Sequence, residues 1–187
     1  GSHCATVPSG VPACDHLEES VFPVESWGKR YFVTVPTGPR FKAVGHVVRL
    51  YGNHDGTKLA YPGVRPDGAP DTLDAGQVVD LGLVETDFEI VGDRELAVAS
   101  FQLGAGLADP GMSAGVQRGD PSMSLVASVE QYRTKYVFLA PDDFEKSFLD
   151  VVLPLDATLY LDGAKVTQAA KAIGPSGYGT LRLQLGK

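Results

Sequence analysis

The chain contains one segment twice. Residues 24–36 are VESWGKRYFVTVP and residues 129–141, 105 positions later, are VEQYRTKYVFLAP, and the two align without a gap. Val24/Val129, Glu25/Glu130, Tyr31/Tyr136 and Pro36/Pro141 are identical, while Trp27/Tyr132 and Arg30/Lys135 keep their chemistry. Further along, Asp55-Gly56-Thr57-Lys58-Leu59 matches Asp162-Gly163-Ala164-Lys165-Val166. An Asp-Gly dipeptide tolerates the positive φ of a tight hairpin turn, so both sites predict hairpins. Then GQVVDLGL (76–83) resembles GYGTLRLQL (177–185). Three matches in one order, at nearly constant offset, imply a duplicated unit of roughly 100 residues.

The unit being repeated is made of strands. YFVTV (31–35), HVVRLYG (46–52), QVVDLGLV (77–84), FEIV (88–91) and ELAVASFQL (95–103) are β-branched or aromatic and bounded by turn residues. SLVASV (124–129), KYVFLA (135–140), FLDVVLPL (148–155), ATLYL (157–161), AKVTQ (164–168) and TLRLQL (180–185) repeat the pattern. In TLRLQL, alternation puts Leu181, Leu183 and Leu185 on one side and Arg182 and Gln184 on the other. LDVVL does not alternate and predicts a strand covered on both faces. The 22 Gly and 13 Pro supply many turns. Helical signal is confined to EKSFLDVV and KVTQAAKAI, each good for a short turn at most.

The predicted fold is all-β, with two repeated antiparallel β-sandwich-like units packed together. The predicted order is a tag remnant at 1–3, a Cys-bounded N-terminal loop at 4–14, a first β unit at 15–104, a Gly-rich connection at 105–122 and a second unit at 123–187. The second unit is incomplete in this reading. The counterpart of ELAVASFQLG is due where the sequence stops, at Lys187, which leaves an open sheet edge.

Composition narrows the partners. A net charge of −7, with 16 basic residues scattered among 23 acidic ones, does not suit a phosphate backbone, so no nucleic acid is expected. No apolar run approaches the ~20 residues a membrane-spanning helix needs, so direct membrane insertion is not expected. Cys4 and Cys14 lie in CATVPSGVPAC, where their spacing suggests a small disulfide-closed loop, with unpaired thiols as the alternative. An oxidised pair points outside the cytosol.

Candidate chemistry is sparse, and no catalytic residue is assigned. There is no GxSxG elbow. His16, His46 and His54 fit surface or hydrogen-bonded structural roles better than catalytic ones; His3 belongs to the tag remnant. Asp142, Asp143 and Glu145 in PDDFE are a candidate Ca²⁺ loop, weighed against a solvated turn; no other cofactor is expected. Trp27 and Tyr132 are the candidate binding aromatics, although recurrence at one structural spot favours packing. Glu25 and Glu130 suit capping of the next strand or pairing with Arg30 and Lys135.

DHLEESVFPVESWGKRYFV (15–33), GDPSMSLVASVEQYRTKYVFLAP (119–141), FLDVVLP (148–154), LDGAKV (161–166) and GPSGYGTLRLQLGK (174–187) together resemble the IgGFc-binding protein N-terminal domain family, over nearly the whole chain from Asp15. The resemblance implies a non-catalytic, secreted or cell-surface binding and adhesion module with a protein or glycoprotein partner. The Gly/Ala/Val/Asp-rich usage suits a bacterial member. Self-association through the open edge is a further expectation. A metal- or carboxylate-dependent hydrolase domain and a structural spacer in a large surface protein are the alternatives.

Overall fold

The computed structural model of the chain describes residues 2–11, 14–140 and 144–186. Two short antiparallel strands, β1 (Ser2–Ala5) and β2 (Asp15–Leu17), open the chain. A disulfide joins Cys4 to Cys14, with the Cα atoms 5.1 Å apart. A 3-10 turn at Val24–Ser26 leads into β3 (Gly28–Val33), and a ribbon of β4 (Thr37–Gly38) and β5 (Lys42–Ala43) follows. Next come β6 (His46–Gly52), β7 (Thr57–Ala60), β8 (Thr72–Leu73), β9 (Val78–Val84) and β10 (Phe88–Gln102). One turn of helix, α1 (Ala105–Ala108), precedes β11 (Ser122–Leu125). A second 3-10 turn, Val129–Gln131, leads to β12 (Ser147–Pro154), β13 (Tyr160–Leu161), β14 (Ala164–Lys165), β15 (Lys171–Ala172) and β16 (Tyr178–Leu185).

The fold is all-β and antiparallel throughout, and β10 is its axis. Leu96 pairs with Gly28 of β3 and with Gly52 of β6, so those strands lie on opposite edges of β10. By the same logic β11 shares the β3 edge, and β7 shares the β6 edge. β9 then pairs with β6, and β8 with β7, to complete a seven-stranded sheet. A second sheet has the order β12-β16-β15, and β13 and β14 form a separate hairpin.

FEIV and ELAVASFQL, two strands by sequence, are one. The register shifts between Val91 and Leu96, so the Gly-Asp-Arg between them makes a bulge rather than a turn. Gly92 permits it, because a Cβ there would lie 2.5 Å from the Arg94 carbonyl oxygen. Both faces of β10 are covered. Phe88, Ile90, Leu96 and Val98 join Tyr31, Val33 and Leu50 in one core cluster, while Ala99, Phe101 and Leu103 join Val7 and Leu17 in another. The disulfide loop therefore caps the second cluster. Stretches covered on both faces carry no alternation, which is why β10 is apolar almost throughout its second half.

Several expectations need correction. KYVFLA (135–140) pairs with no strand among the described residues, and its side chains from Tyr136 to Leu139 are exposed. LDVVL is half-buried within β12, an edge strand, and is not covered on both faces. EKSFLDVV runs into β12 and KVTQAAKAI contains β15, so neither is helical; the helical turn α1 lies in the Gly-rich stretch instead. β11, from the region assigned to the second unit, completes the first sheet.

Polar and aromatic contacts tie the two sheets together. Phe32 stacks on Tyr178 at 4.6 Å, and the Arg30 guanidinium lies 5.0 Å and 5.2 Å from those two ring centres. Arg30 Nε also donates to the buried carboxylate of Glu89 at 2.6 Å. Asp150 of β12 accepts from the backbone N–H of Thr37 at 2.7 Å and from its hydroxyl at 2.6 Å. Arg182 of β16 donates to Asp87 Oδ1 at 2.7 Å and to the Val35 carbonyl at 2.9 Å.

His46 is fully buried, with Nδ1 2.7 Å from Ser100 Oγ and Nε2 unpartnered. Burial lowers its pKa to about 4. Unfolded, the imidazole returns to about 6.5, so the native state binds fewer protons between those values. Stability is expected to be intact above pH 6.5, to fall by about 3 kcal/mol as pH drops towards 4, and to change no further on this account below that. Urea midpoints measured across this range, with His46→Asn as the comparison, check it; an equally steep acid limb in the variant counts against it.

Candidate binding groove

The two copies of the repeated segment start alike. Each 3-10 turn is flanked by extended residues: Pro23 (φ −62°, ψ 149°) and Trp27 (φ −70°, ψ 153°) at the first, Ser128 (φ −69°, ψ 156°) and Tyr132 (φ −63°, ψ 146°) at the second. Each is then closed by a tyrosine hydroxyl that accepts a backbone N–H from three residues earlier. Gly28 N–H donates to Tyr31 at 3.0 Å, and Arg133 N–H donates to Tyr136 at 2.8 Å.

The second turn rests on β3. Glu130 accepts the Lys29 N–H at 2.9 Å, so it caps the other copy's strand rather than pairing with Lys135. Gly28 allows this approach, since a Cβ there would lie 2.4 Å from both Ser128 Cβ and Glu130 Oε2.

Beyond the tyrosines the copies diverge. Tyr31, Phe32 and Val33 are at most 2% exposed. Their counterparts Tyr136, Val137 and Phe138 are 66%, 92% and 50% exposed, and Leu139 is 92% exposed. The Tyr31 hydroxyl goes on to donate to the Leu96 carbonyl of β10 at 2.5 Å. Among the described residues no strand offers Tyr136 the same acceptor.

Between 135–140 and β12 lies an open groove of about 1090 Å³. Tyr136 and Phe138 form one wall, and Leu149 and Val151 of β12 form the other. Phe32 and Val126 also line it, and the β13–β14 hairpin borders it at Asp162. The hairpin turn has positive φ at Asp162 (50°) and Gly163 (80°), as a two-residue Asp-Gly turn requires. Apolar side chains share its lining with Thr34, Thr134, Lys135, Asp150 and Gln184.

The candidate residues distribute unevenly. Tyr132 lines the groove, half-buried, and burial holds its phenol well above the ordinary tyrosine range. Trp27 does not meet it. Its Nε1 donates to the Phe22 carbonyl at 3.2 Å beside a separate cleft of about 150 Å³. Glu145 forms an ion pair with Arg118, which leaves its carboxylate committed to a guanidinium. Asp142 and Asp143 lie outside the described residues, and no group of three or more His, Cys, Asp and Glu that would hold a metal occurs among the described ones.

Two exposed histidines face carboxylates, His16 with Glu18 at 3.1 Å and His54 with Glu95 at 3.5 Å, and neither lines the groove. The His46–Ser100 pair is buried in the first sheet. What sequence reasoning missed is the exposed row of Tyr136, Val137, Phe138 and Leu139. The signal was available: an apolar segment in the second copy whose strand partner in the first copy has no described counterpart.

A family model described as IgGFc binding protein matches residues 1–187, the whole chain. Neither a curated protein nor a solved structure matches it.

Proposed function

Since the chain belongs to the IgGFc binding protein family, we propose that it is a non-catalytic binding module, secreted or displayed at a cell surface, that takes a protein or glycoprotein partner at the groove beside 135–140. One observation carries the reading: Val137, which lines the groove, and Leu139 two residues further on are each 92% exposed. Exposed apolar side chains in a row cost solubility and are retained where a partner covers them. The Cys4–Cys14 disulfide suits an oxidising compartment. No described helix is long and apolar enough to cross a membrane.

The family description makes the Fc fragment of IgG the first probe, with a purified mucin glycoprotein as the second. Surface plasmon resonance on the immobilised chain is expected to show saturable binding to at least one. The double change Val137→Asp and Leu139→Asp is expected to weaken it by roughly 100-fold, as the loss of two apolar contacts would. Both side chains are already in water, so folding is unaffected. Failure of both probes to bind, or full binding by the double variant, overturns the reading.

A further inference from the structure

We propose that the small cleft beside Trp27 is a binding site for one neutral aromatic ring that carries a single hydroxyl, the chemistry of a simple phenol. The site is separate from the groove and does not depend on what fills that groove.

The cleft holds about 150 Å³ where the first 3-10 turn, β10 and the segment after β11 meet. Phe22, Trp27 and Tyr31 supply aromatic walls, and Val98 and Leu125 supply aliphatic ones. Two hydrogen bonds fix the rings. Trp27 Nε1 donates to the Phe22 carbonyl at 3.2 Å, and the Tyr31 hydroxyl donates to the Leu96 carbonyl at 2.5 Å. An apolar cavity of this volume takes one benzene-sized molecule. Rings around it favour an aromatic guest, through edge-to-face and offset contacts, over an aliphatic one of equal size.

Polarity narrows the guest further. Among the described residues no charged side chain lines the cleft, and burial pushes the Tyr31 phenol up to about 12, so nothing there pairs with an ion. Ser128 also lines it and is 2% exposed, and its hydroxyl has no hydrogen-bond partner of sound geometry among the described residues. The Tyr31 hydroxyl lies beside it but already accepts the Gly28 N–H and donates to Leu96. A buried hydroxyl in that position is satisfied by a guest that brings one polar group. Ser26 does not compete for it, because its own hydroxyl donates to the Pro23 carbonyl at 2.7 Å. A sugar has several hydroxyls to satisfy and would meet only Ser128 and the Gln131 side chain, so it fits poorly.

Trp27 is the chain's sole tryptophan, so its fluorescence reads the cleft directly. The probe is phenol, titrated into the whole chain with excitation at the red edge of tryptophan absorption, where phenol and tyrosine do not absorb. Emission is expected to change saturably, with a dissociation constant on the order of 0.1–1 mM. Toluene, with a methyl group in place of the hydroxyl, is expected to bind as well, and benzoate, an anion, is not. Ser128→Ala is expected to weaken phenol roughly fivefold and to leave toluene unchanged. Ala97→Leu enlarges a side chain of the lining and is expected to abolish both; should that variant not fold, Ser128→Ala still decides. The absence of a saturable change, benzoate binding as tight as phenol, or a Ser128→Ala variant that affects phenol and toluene alike overturns the proposal. So does loss of phenol binding in Val137→Asp/Leu139→Asp, because the ring then sits in the groove. If phenol binds while Fc and mucin do not, the cleft stands and the groove reading falls. If they bind and phenol does not, the reverse holds.

Discussion

Replacing Arg182 by alanine is expected to destabilise the chain by about 3–5 kcal/mol, the range for breaking one side of a buried ion pair. The side chains of Arg182 and Asp87 are only 17% and 10% exposed, and their atoms meet at 2.7 Å. The same guanidinium nitrogen donates to the Val35 carbonyl, and Asp87 Oδ1 also accepts the Val35 N–H at 2.8 Å. Removing the guanidinium therefore leaves a mostly buried carboxylate with one neutral donor. Methionine at 182 restores volume and leaves that charge uncompensated, so Arg182→Met is expected to cost nearly as much. Adding Asp87→Asn removes the stranded charge and is expected to recover a large part of the loss, since a neutral amide keeps an acceptor for Val35. Urea unfolding of the four chains in the cycle measures the coupling. Additive effects of the two single changes would mean that the pair does not hold β16 against the first sheet.

Arg182 also shows how far a strand pattern informs. Alternation in TLRLQL separated Arg182 and Gln184 from the leucines, and β16 is indeed a strand. Yet the Arg182 side reaches the loops that flank β3 and precede β10, and it is not simply a water face. A period of two sorts side chains into two faces; it does not reveal whether a second sheet covers the polar one. The same limit explains β10. FEIV and ELAVASFQL both have strand chemistry, but whether Gly92-Asp93-Arg94 turns or bulges depends on β3 and β6, which come from elsewhere in the chain. β6 was legible to the residue because Gly52 and the Asp55-Gly56 turn bound it locally.

The candidate site was legible only in outline. Matching VESWGKRYFVTVP to VEQYRTKYVFLAP set Tyr136, Val137 and Phe138 against Tyr31, Phe32 and Val33. The groove did not follow, since it needs β12, the β13–β14 hairpin and the back of β3 to meet in space. Trp27 and Tyr132 illustrate the difference. Sequence made them equivalents, and their backbone surroundings are equivalent, but one flanks a small cleft and the other the groove: among the described residues, the segment after Trp27 is a paired strand and the segment after Tyr132 is not.

Phe32 and Val137 occupy the same position of the repeated segment, and their replacement by alanine is expected to have opposite consequences. Phe32 is 2% exposed, stacked on Tyr178 and lying under the Arg30 guanidinium. Truncation removes a buried ring and leaves a cavity between the two sheets, so Phe32→Ala is expected to cost about 3–5 kcal/mol. Val137 is 92% exposed, and Val137→Ala is expected to change stability by less than about 0.5 kcal/mol. The difference reflects burial as well as ring size, because a buried valine truncated to alanine would itself lose the transfer energy of its methyl groups plus the cavity they leave. Urea denaturation of the two variants beside the unaltered chain measures both values. A loss above about 1 kcal/mol for Val137→Ala would mean that 135–140 is packed in solution. A near-zero value would place the Val137 side chain in water, as its exposure has it.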